Sequence, residues 1–466
     1  MALLLLPVEM VSKILTRMAI LDLLSVTRTC SYLRTVCMGD RNIWKLADDA
    51  EMLPLPVGKT VDSVDMSLLL CCAGRAVSIF TALQGPKISP RKPIELRGLY
   101  DHPAWRPLLQ HRPTRCYILP GAHSFLIGGS QLGLYDIHGE YSYEFEASNI
   151  PVCFTWESQD NGASIVLAVV WKDQGRGHRK SSLSVYKLDY DPASNYRNVP
   201  VISLSYSTPI SDLSAPVQIC MRKSIVLIWD KPAQYDEENE MFLIDIEQNK
   251  RVRLVPLAGD SGFHIIYASL HPTLPLAVLF VSDILWMPEA KRTVELVDIN
   301  LFPMHSDLPS WETRYITRRA IAELGPLPFE HGHLYHTIRF EFGNIVLDEV
   351  HYLMSKISAT SWTISLRSLS SETPSPPFNF AEYDSANTHF FICPIKNTPS
   401  GKMTFAFREP DDSVGRWILV QSGRQGIRRH ILDIVPPDLF GWVIALDDIH
   451  GIFVLLNRGK LWTLYC

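Results

Sequence analysis

The stretch CYILPGAHSFLIGGSQLGLYDIHGEYSYEF, residues 116–145, decides the fold class. It alternates short runs of β-branched, aromatic and aliphatic residues with clusters of Gly, Ser, His and Pro, which is the pattern of short β-strands joined by tight turns. The same pattern continues towards the C-terminus in SIVLAVVW, LSVYKLDY, SIVLIWD, LAVLFVS and TVELVDI. Long amphipathic helices are scarce after residue 94, so a mainly β domain is expected there.

An internal repeat favours a ring of small sheets. Strand-like runs end in an aspartate followed by an apolar or aromatic residue at Asp136, Asp189, Asp245 and Asp298, with spacings of 53, 56 and 53 residues. A fifth such ending at Asp433 leaves room for one longer unit around SWTISLRSL. This period is somewhat above the ~40–50 residues of common propeller blades, as expected if the loops between strands are expanded. Such units must stack because one blade cannot bury its own faces. Aspartate is also common where any strand enters a turn, so another all-β arrangement stays open.

The two ends of the β domain are predicted to meet. The last residues supply three strands, WVIALD, GIFVLL and KLWTLY, and a blade usually has four. Residues 94–99, within PIELRGL, are expected to pair with these strands and remove an exposed edge. The sequence therefore predicts a β-propeller over residues 94–466 with seven blades, and six or eight blades remain alternatives.

The N-terminus has a different, helical pattern. Val11, Ile14, Leu15 and Met18 follow the i, i+3, i+4, i+7 spacing of one helical face, and Pro7 suits the first turn. A second helix, with Asp22 as its N-cap, carries Leu23, Val26, Thr27, Cys30 and Leu33 at helical spacing, and a third short element carries Ile43 and Trp44. A unit of fewer than about 40 residues rarely folds alone, so it is expected to need a partner surface.

These N-terminal residues carry a family resemblance. The stretch LPVEMVSKILTRMAILDLLSVTRTCSYLRTV, residues 6–36, closing with Ile43-Trp44, resembles the F-box. Ala19-Ile20 stand where Asp-Pro is common, and Ser31 and Leu33 stand where a basic residue and Trp are frequent. The resemblance covers about a tenth of the chain. It implies that the following residues help to bury the module against the small adaptor of a Skp–cullin–F-box (SCF) ubiquitin ligase: Leu6, Pro7, Ile14, Leu15, Leu23, Leu24 and Val26.

The resemblance extends to the domain organisation. An F-box module over residues 1–50 is followed over residues 51–93 by a Pro-rich and helical linker, as in fungal F-box proteins that place a helix ahead of a β domain. Residues 116–145 also look like a WD-type blade, with Tyr135-Asp136 where Trp-Asp is usual. The implied function is a non-catalytic, cofactor-free ligase subunit that binds the Skp-type adaptor, through it a cullin, and through the propeller a substrate protein. A propeller hydrolase or lyase with a fused helical module, and an F-box scaffold outside ubiquitylation, are the alternatives.

Composition limits the partners. A formal charge of −5 over 466 residues, without long runs of one sign, gives no broad basic surface for nucleic acid or an anionic membrane. The apolar N-terminal run is cut by Pro7 and Glu9, too early for a secretory signal, so a cytoplasmic or nuclear protein is expected. The nine cysteines are scattered, which favours reduced core residues, and buried packing is also the prediction for Cys71-Cys72.

Motifs for catalysis or metal binding are incomplete. GKT at 58–60 lacks the earlier glycine of a phosphate-binding loop, and GGSQLG at 128–133 has the spacing of a hairpin turn rather than a nucleophile elbow. His331, His333 and His336 have a spacing at which imidazoles could converge on a metal, but Gly332 indicates a solvated loop, so no metal site is expected. Two charged clusters are candidates for partner contacts: the acidic Asp236, Glu237, Glu238 and Glu240, and the basic Arg424, Arg428 and Arg429 with His430. The three arginines are the candidates for binding the substrate.

Overall fold

A computed structural model describes the helical N-terminus and the strands of the β domain. The described residues are 6–96, 115–129, 131–138, 142–146, 148–173, 181–191, 200–210, 217–230, 241–255, 264–282, 291–301, 312–315, 319–324, 335–341, 344–354, 359–368, 378–382, 392–395, 404–408, 417–423, 426–433, 442–457 and 460–466. The five helices among them are α1 (Val8–Leu15), α2 (Ile20–Thr27), α3 (Ser31–Gly39), α4 (Arg41–Lys45) and α5 (Met66–Gln84).

The N-terminal helices differ from the sequence-based expectation at α2. This helix begins at Ile20, so Asp22 lies in its first turn and is not the N-cap. The carboxylate of Asp49 instead accepts the hydrogen bond from the Ile20 amide at 2.8 Å, a cap from a distant part of the chain that propensity rules do not reveal. The second helix predicted from the sequence is divided in two: α2 ends at Thr27 and α3 begins at Ser31. Between them, the Thr29 hydroxyl donates to the Val26 carbonyl and the Cys30 backbone is extended.

Within the described residues, the β domain contains seven sheets, numbered here in chain order. Sheet 1 contains β3 (Arg115–Ile118), β4 (Ser124–Gly128), β5 (Leu132–Asp136) and β6 (Ser142–Phe145). Sheet 2 contains β7 (Asn149–Gln159), β8 (Ser164–Asp173), β9 (Ser181–Asp189) and β10 (Val201–Ile210). Sheet 3 contains β11 (Val217–Arg222), β12 (Ile225–Asp230), β13 (Met241–Asp245), β14 (Lys250–Val255) and β18 (Glu312–Tyr315). Sheets 4 and 5 contain β15 (His264–Leu270), β16 (Leu276–Ser282), β17 (Arg292–Asp298) and β19 (Arg319–Leu324); and β20 (Tyr335–Glu341), β21 (Asn344–Met354), β22 (Ala359–Ser368) and β23 (Phe378–Glu382). Sheets 6 and 7 contain β24 (Ile392–Ile395), β25 (Thr404–Arg408), β26 (Trp417–Gly423), β27 (Gly426–Leu432) and β1 (Lys87–Ile88); and β28 (Trp442–Asp447), β29 (Ile452–Asn457), β30 (Lys460–Tyr465) and β2 (Arg91–Glu95).

The consecutive strands of each sheet form an antiparallel meander of the kind found in propeller blades, and β18 joins sheet 3 and β1 joins sheet 6 in parallel. The mainly β fold with a small helical N-terminus is therefore as predicted. The first strands of neighbouring sheets contact one another: β7 meets β11, β11 meets β15, β15 meets β20, and β24 meets β28. The first strand of sheet 7, β28, also contacts β3 of sheet 1. Sheets from the two ends of the β domain are therefore neighbours.

The four repeated aspartates occupy equivalent positions. Asp136, Asp189, Asp245 and Asp298 end β5, β9, β13 and β17, the third strands of sheets 1 to 4. The carboxylate of Asp136 accepts the His138 amide at 2.7 Å, and Asp245 and Asp298 accept amides of their own turns. The repeat is therefore a strand-ending turn, repeated because the sheets are repeated.

Asp433 does not belong to this series. It follows β27, the fourth strand of sheet 6, whereas the third strand of that sheet ends at Gly423. SWTISLRSL lies on β22, the third strand of sheet 5, where the longer unit was expected. An apolar run before an aspartate thus occurs at the end of third and of fourth strands, and the motif alone does not show which strand of a sheet it ends.

The outer strand of sheet 7 is β2 (Arg91–Glu95), which lies where the predicted linker meets the start of the predicted β domain. Ile94 pairs with Thr463 and Glu95 with Trp462 in an antiparallel ladder, and the Leu96 amide donates to the Leu461 carbonyl at 3.0 Å. Residues 97–99 of the expected closing strand lie outside the described residues. The preceding β1 pairs in parallel with β27, so residues 87–96 run along the outer edges of two sheets in turn.

Candidate docking surface

Helix α1 divides its apolar residues between two faces. Val11 and Leu15 are buried in the helical core, whereas Met10 and Ile14, one turn apart, are 51% and 47% exposed. Complete burial of a large apolar side chain contributes about 1.5–3 kcal/mol, and roughly half of that is available when each of these half-exposed side chains is covered. The exposed face of α1, defined by Met10 and Ile14 and called the α1 face below, is therefore suited to binding another protein.

The residues predicted to contact an adaptor do not share one environment. Pro7 and Ile14 are exposed, and Leu6 and Val26 are partly buried against the helical core. By contrast, Leu15, Leu23 and Leu24 are almost completely buried inside it. The last three hold the module together, and a partner cannot contact them while the module is folded. Met10, and Leu21 with 46% exposure, are surface candidates that the family pattern did not indicate.

The missing part of the helical core is supplied by α5. The first half of this helix contributes Leu69 and Ala73 to the cluster that contains Leu23 and Trp44, and α2 packs directly on α5. The Asp65 carboxylate caps α5 by accepting the Ser67 amide at 2.8 Å, and hydrogen bonds from Ser67 lower the pKa of Asp65. The N-terminal unit thus extends well beyond residue 50, and the partner it was expected to require is a helix of its own chain.

The second half of α5 belongs to a different core. Ile79 and Leu83 pack with Trp417 of sheet 6 and Phe453 of sheet 7. By length and composition alone, α5 is also apolar enough to cross a membrane. Its apolar residues contribute to two hydrophobic cores, so α5 is a core helix that connects the helical unit with sheets 6 and 7.

A second contact joins the helical unit to the sheets through Val57. This side chain is buried in the core formed by sheets 1 and 2, and the neighbouring Gly58 amide donates to the Asn161 carbonyl at 2.9 Å. Gly121 and Gly162, which both have positive φ, form the notch that receives Val57. GKT at 58–60 is therefore a docking turn, as its incomplete phosphate-loop motif indicated.

The remaining sequence candidates lie in strands of the β domain or outside the described residues. Arg428 and Arg429 are in β27, where they pair with Gln421 and Val420, while Arg424 lies outside the described residues. His336 lies in β20, and His331, His333 and the acidic residues 236–240 are outside the described residues. GGSQLG spans the β4–β5 hairpin, in which Gly128 pairs with Leu132, as predicted.

The cysteines differ in reactivity. Cys72 is buried, as predicted for the Cys71-Cys72 pair, but Cys71 is exposed on α5. Burial raises the pKa of the Cys37 thiol to about 11, so Cys37 is almost entirely protonated at neutral pH. We expect iodoacetamide at pH 7.5 to alkylate Cys71 at least roughly tenfold faster than Cys37, as measured by peptide mass spectrometry. The two rates should converge in urea; equal rates in the native protein would contradict the burial of Cys37.

No protein-family profile matches the chain, and no curated protein is similar to it in sequence. Among solved structures, the WD40 domain of SCAP from fission yeast is similar, with a TM-score of 0.40, 8% identity, and coverage of 76% of this chain and 82% of that one. A mutant of AofleA from Arthrobotrys oligospora has a TM-score of 0.36 at 9% identity, covering 71% of this chain and 91% of that one. The NanB sialidase from Streptococcus pneumoniae has a TM-score of 0.31 at 11% identity, covering 76% and 68%.

Proposed function

We propose that this chain is a non-catalytic substrate-recognition subunit of an SCF ubiquitin ligase. In this proposal, the α1 face binds the Skp-type adaptor, which carries the cullin, and the β domain binds a substrate protein. The observation that carries the proposal is the α1 face itself: an F-box-like helix that leaves Met10 and Ile14 uncovered although its own core is complete. A folded module with an uncovered apolar face is expected to have a partner.

We further propose that the seven sheets close into one seven-bladed propeller. The contact between β28 and β3 and the pairing of β2 with β30 support closure, because both join the start of the β domain to its end. The three turns that meet Val57 and Ile79 contain Gly121, Gly162 and Gly451, and each connects the first and second strands of its sheet. In a closed ring such turns lie at one end, so the helical unit would sit at that end and leave the opposite end open.

The test is capture of a purified Skp-type adaptor by the full-length chain. Changing Met10 and Ile14 together to Asp should weaken capture at least roughly tenfold, because two charges replace apolar contacts at the centre of the interface. The matched control changes Val201 and Leu204 on β10 to Asp, since these side chains are 70% and 56% exposed and add the same charge. Failure of the unaltered chain to bind the adaptor, or equal capture by both double variants, would refute the proposal.

A scaffold that acts outside ubiquitylation would also bind the adaptor. The two roles differ in the next partner, because a ligase subunit must hold the adaptor and a cullin in the same complex. Co-purification of cullin with the unaltered chain, and its loss together with the adaptor in the Met10→Asp/Ile14→Asp variant, is the result expected for the ligase. Adaptor capture without cullin would favour the scaffold.

A further inference from the structure

A cleft of about 400 Å³ lies where the turns of sheets 3 and 4 meet. Its walls come from the β11–β12 turn, the β13–β14 turn and the β15–β16 turn, together with residues 299–300. Two of these turns connect first and second strands, like the turns that contact the helical unit in sheets 1, 2 and 7. The helical unit uses other sheets, and the described substrate candidates, Arg428 and Arg429, do not line this cleft.

The cleft carries an excess of positive charge. Arg222, Lys223 and Lys250 line it, and Glu157 offsets the charge of Arg222 because its carboxylate pairs with Arg222 and accepts the Lys223 amide. The one acidic residue of the lining, Asp245, is buried and accepts the amides of Glu247 and Gln248, so the remaining positive charge is that of the two lysines. The Asp245 charge is thus directed into its own turn. Coulomb attraction for an incoming anion is therefore expected, and it strengthens where protein walls exclude part of the solvent.

The three cations have different roles. Arg222 is fixed, since its Nε and Nη2 donate to the Pro272 carbonyl at 3.0 and 2.8 Å and its Nη1 pairs with Glu157 at 3.0 Å. Much of its hydrogen-bonding capacity is consumed in joining sheet 3 to the β15–β16 turn. Lys223 is exposed, and the Lys250 ammonium, at 2.8 Å from Gln248 Oε1, contacts an uncharged side chain. The two lysines are consequently the groups best able to meet an anionic ligand.

The β15–β16 turn contributes an exposed apolar side chain to the cleft. Leu274 is 52% exposed and stands between Thr273 and Pro275 in the β15–β16 turn. His271 holds this turn in shape, because its Nδ1 accepts the amides of Thr273 and Leu274 at 3.2 and 3.0 Å. Burial and the neighbouring Arg222 lower the pKa of His271, which keeps the imidazole neutral and able to accept these bonds at neutral pH.

We propose that this cleft binds an extended segment of a partner protein in which Asp or Glu residues lie beside a large apolar side chain. The carboxylates meet Lys223 and Lys250, and the apolar side chain covers Leu274. This inference deepens the proposed function, because within a ligase the segment would belong to the substrate. Binding of the segment itself does not require the adaptor, so the two proposals can fail separately.

The test uses the full-length chain without adaptor and a fluorescein-labelled peptide with Leu-Glu-Glu-Leu in a Gly-Ser context, followed by anisotropy. Changing Lys223 and Lys250 to Glu should weaken binding at least about tenfold, and raising salt from 50 to 500 mM should weaken it several-fold. The charge-matched control changes Lys13 and Lys59, which are exposed elsewhere, to Glu and should retain binding. A Leu274→Ala variant should lose a few-fold through its apolar contact.

Two further peptides identify the ligand chemistry. Leu-Gln-Gln-Leu should bind weakly, since it keeps the shape and lacks the charge. A version with phosphoserine in place of glutamate tests whether phosphate is the preferred anion, and exclusive binding of that version would overturn the carboxylate assignment. Absence of binding to the glutamate peptide, or equal loss in both lysine double variants, would overturn the site. The Lys223→Glu/Lys250→Glu variant should still capture the adaptor, because the cleft and the α1 face are separate sites. If the unaltered chain binds the peptide but not the adaptor, the ligase role is refuted and the cleft proposal stands.

Discussion

Replacing Leu23 with Asp is expected to unfold the N-terminal helical unit. Leu23 is completely buried in the core that α1 to α4 share with the first half of α5. Removing a buried leucine side chain costs about 3–5 kcal/mol, and burying a carboxylate without a partner adds to that cost. The total approaches the whole stability of a typical domain, about 5–15 kcal/mol. Hydrogen exchange of amides in residues 20–47 should therefore accelerate by about a thousandfold or more.

The matched control is Leu21→Asp, two residues earlier on the same helix. Leu21 is 46% exposed, so the substitution introduces the same charge without breaking the core, and it should change stability by less than about 0.5 kcal/mol. Amides of sheets 1 and 2 should stay protected from exchange in both variants, because the core between these sheets contains none of residues 20–47. Equal exchange in the two variants would show that α2 is not packed as described.

This expectation changes how the adaptor site must be tested. The F-box resemblance indicates Leu23 and Leu24 as adaptor contacts, and a charge at either position should indeed abolish capture. Both side chains lie inside the module, however, so that loss would follow from unfolding and would not identify the interface. Only exposed positions, Met10 and Ile14 above all, separate binding from folding.

Local rules predicted most elements of the fold but few of the contacts between them. The helices α1, α4 and α5 follow from apolar spacing, and the strands follow from runs bounded by turn residues, because both signals lie within a few residues of sequence. The Asp49 cap on α2 and the packing of α5 on α2 join residues separated by tens of positions. Neither contact produces a pattern within a short stretch of sequence, so sequence rules predict that the helical unit ends near residue 50.

The site was predictable to a similar extent. Helical periodicity marks Val11, Ile14 and Leu15 as one apolar stripe, but a stripe on a two-sided helix does not reveal which edge faces the core. The structure buries Val11 and Leu15 and leaves Ile14 outside with Met10. The cleft between sheets 3 and 4 left no signal at all, since its walls come from turns far apart in the chain whose adjacency depends on how the sheets stack.

Replacing Gly121 with Ala is expected to loosen the helical unit from the sheets. The backbone at Gly121 has a φ of 81°, which disfavours any residue with a Cβ, and the added Cβ would overlap Val57 Cγ2. Backbone strain of about 1–2 kcal/mol and displacement of a buried valine together give a loss of about 2–4 kcal/mol. Urea denaturation should register this loss, and hydrogen exchange should localise it to residues 53–60 and 119–123.

Two comparisons isolate the cause of that loss. Gly74→Ala in the middle of α5, where an added Cβ meets nothing within 4 Å, should be neutral or stabilising by about 0.5–1 kcal/mol, as expected for Ala in a helix. Combining Gly121→Ala with Val57→Ala removes the overlap but not the strain, so the double variant should be more stable than the sum of the single losses predicts. Strict additivity would mean that Val57 does not occupy the Gly121 notch. The helical unit would then be joined to the sheets by α5, residues 87–96 and the Gly58–Asn161 hydrogen bond without the Val57 contact, and the α1 face would be held less firmly relative to the sheets.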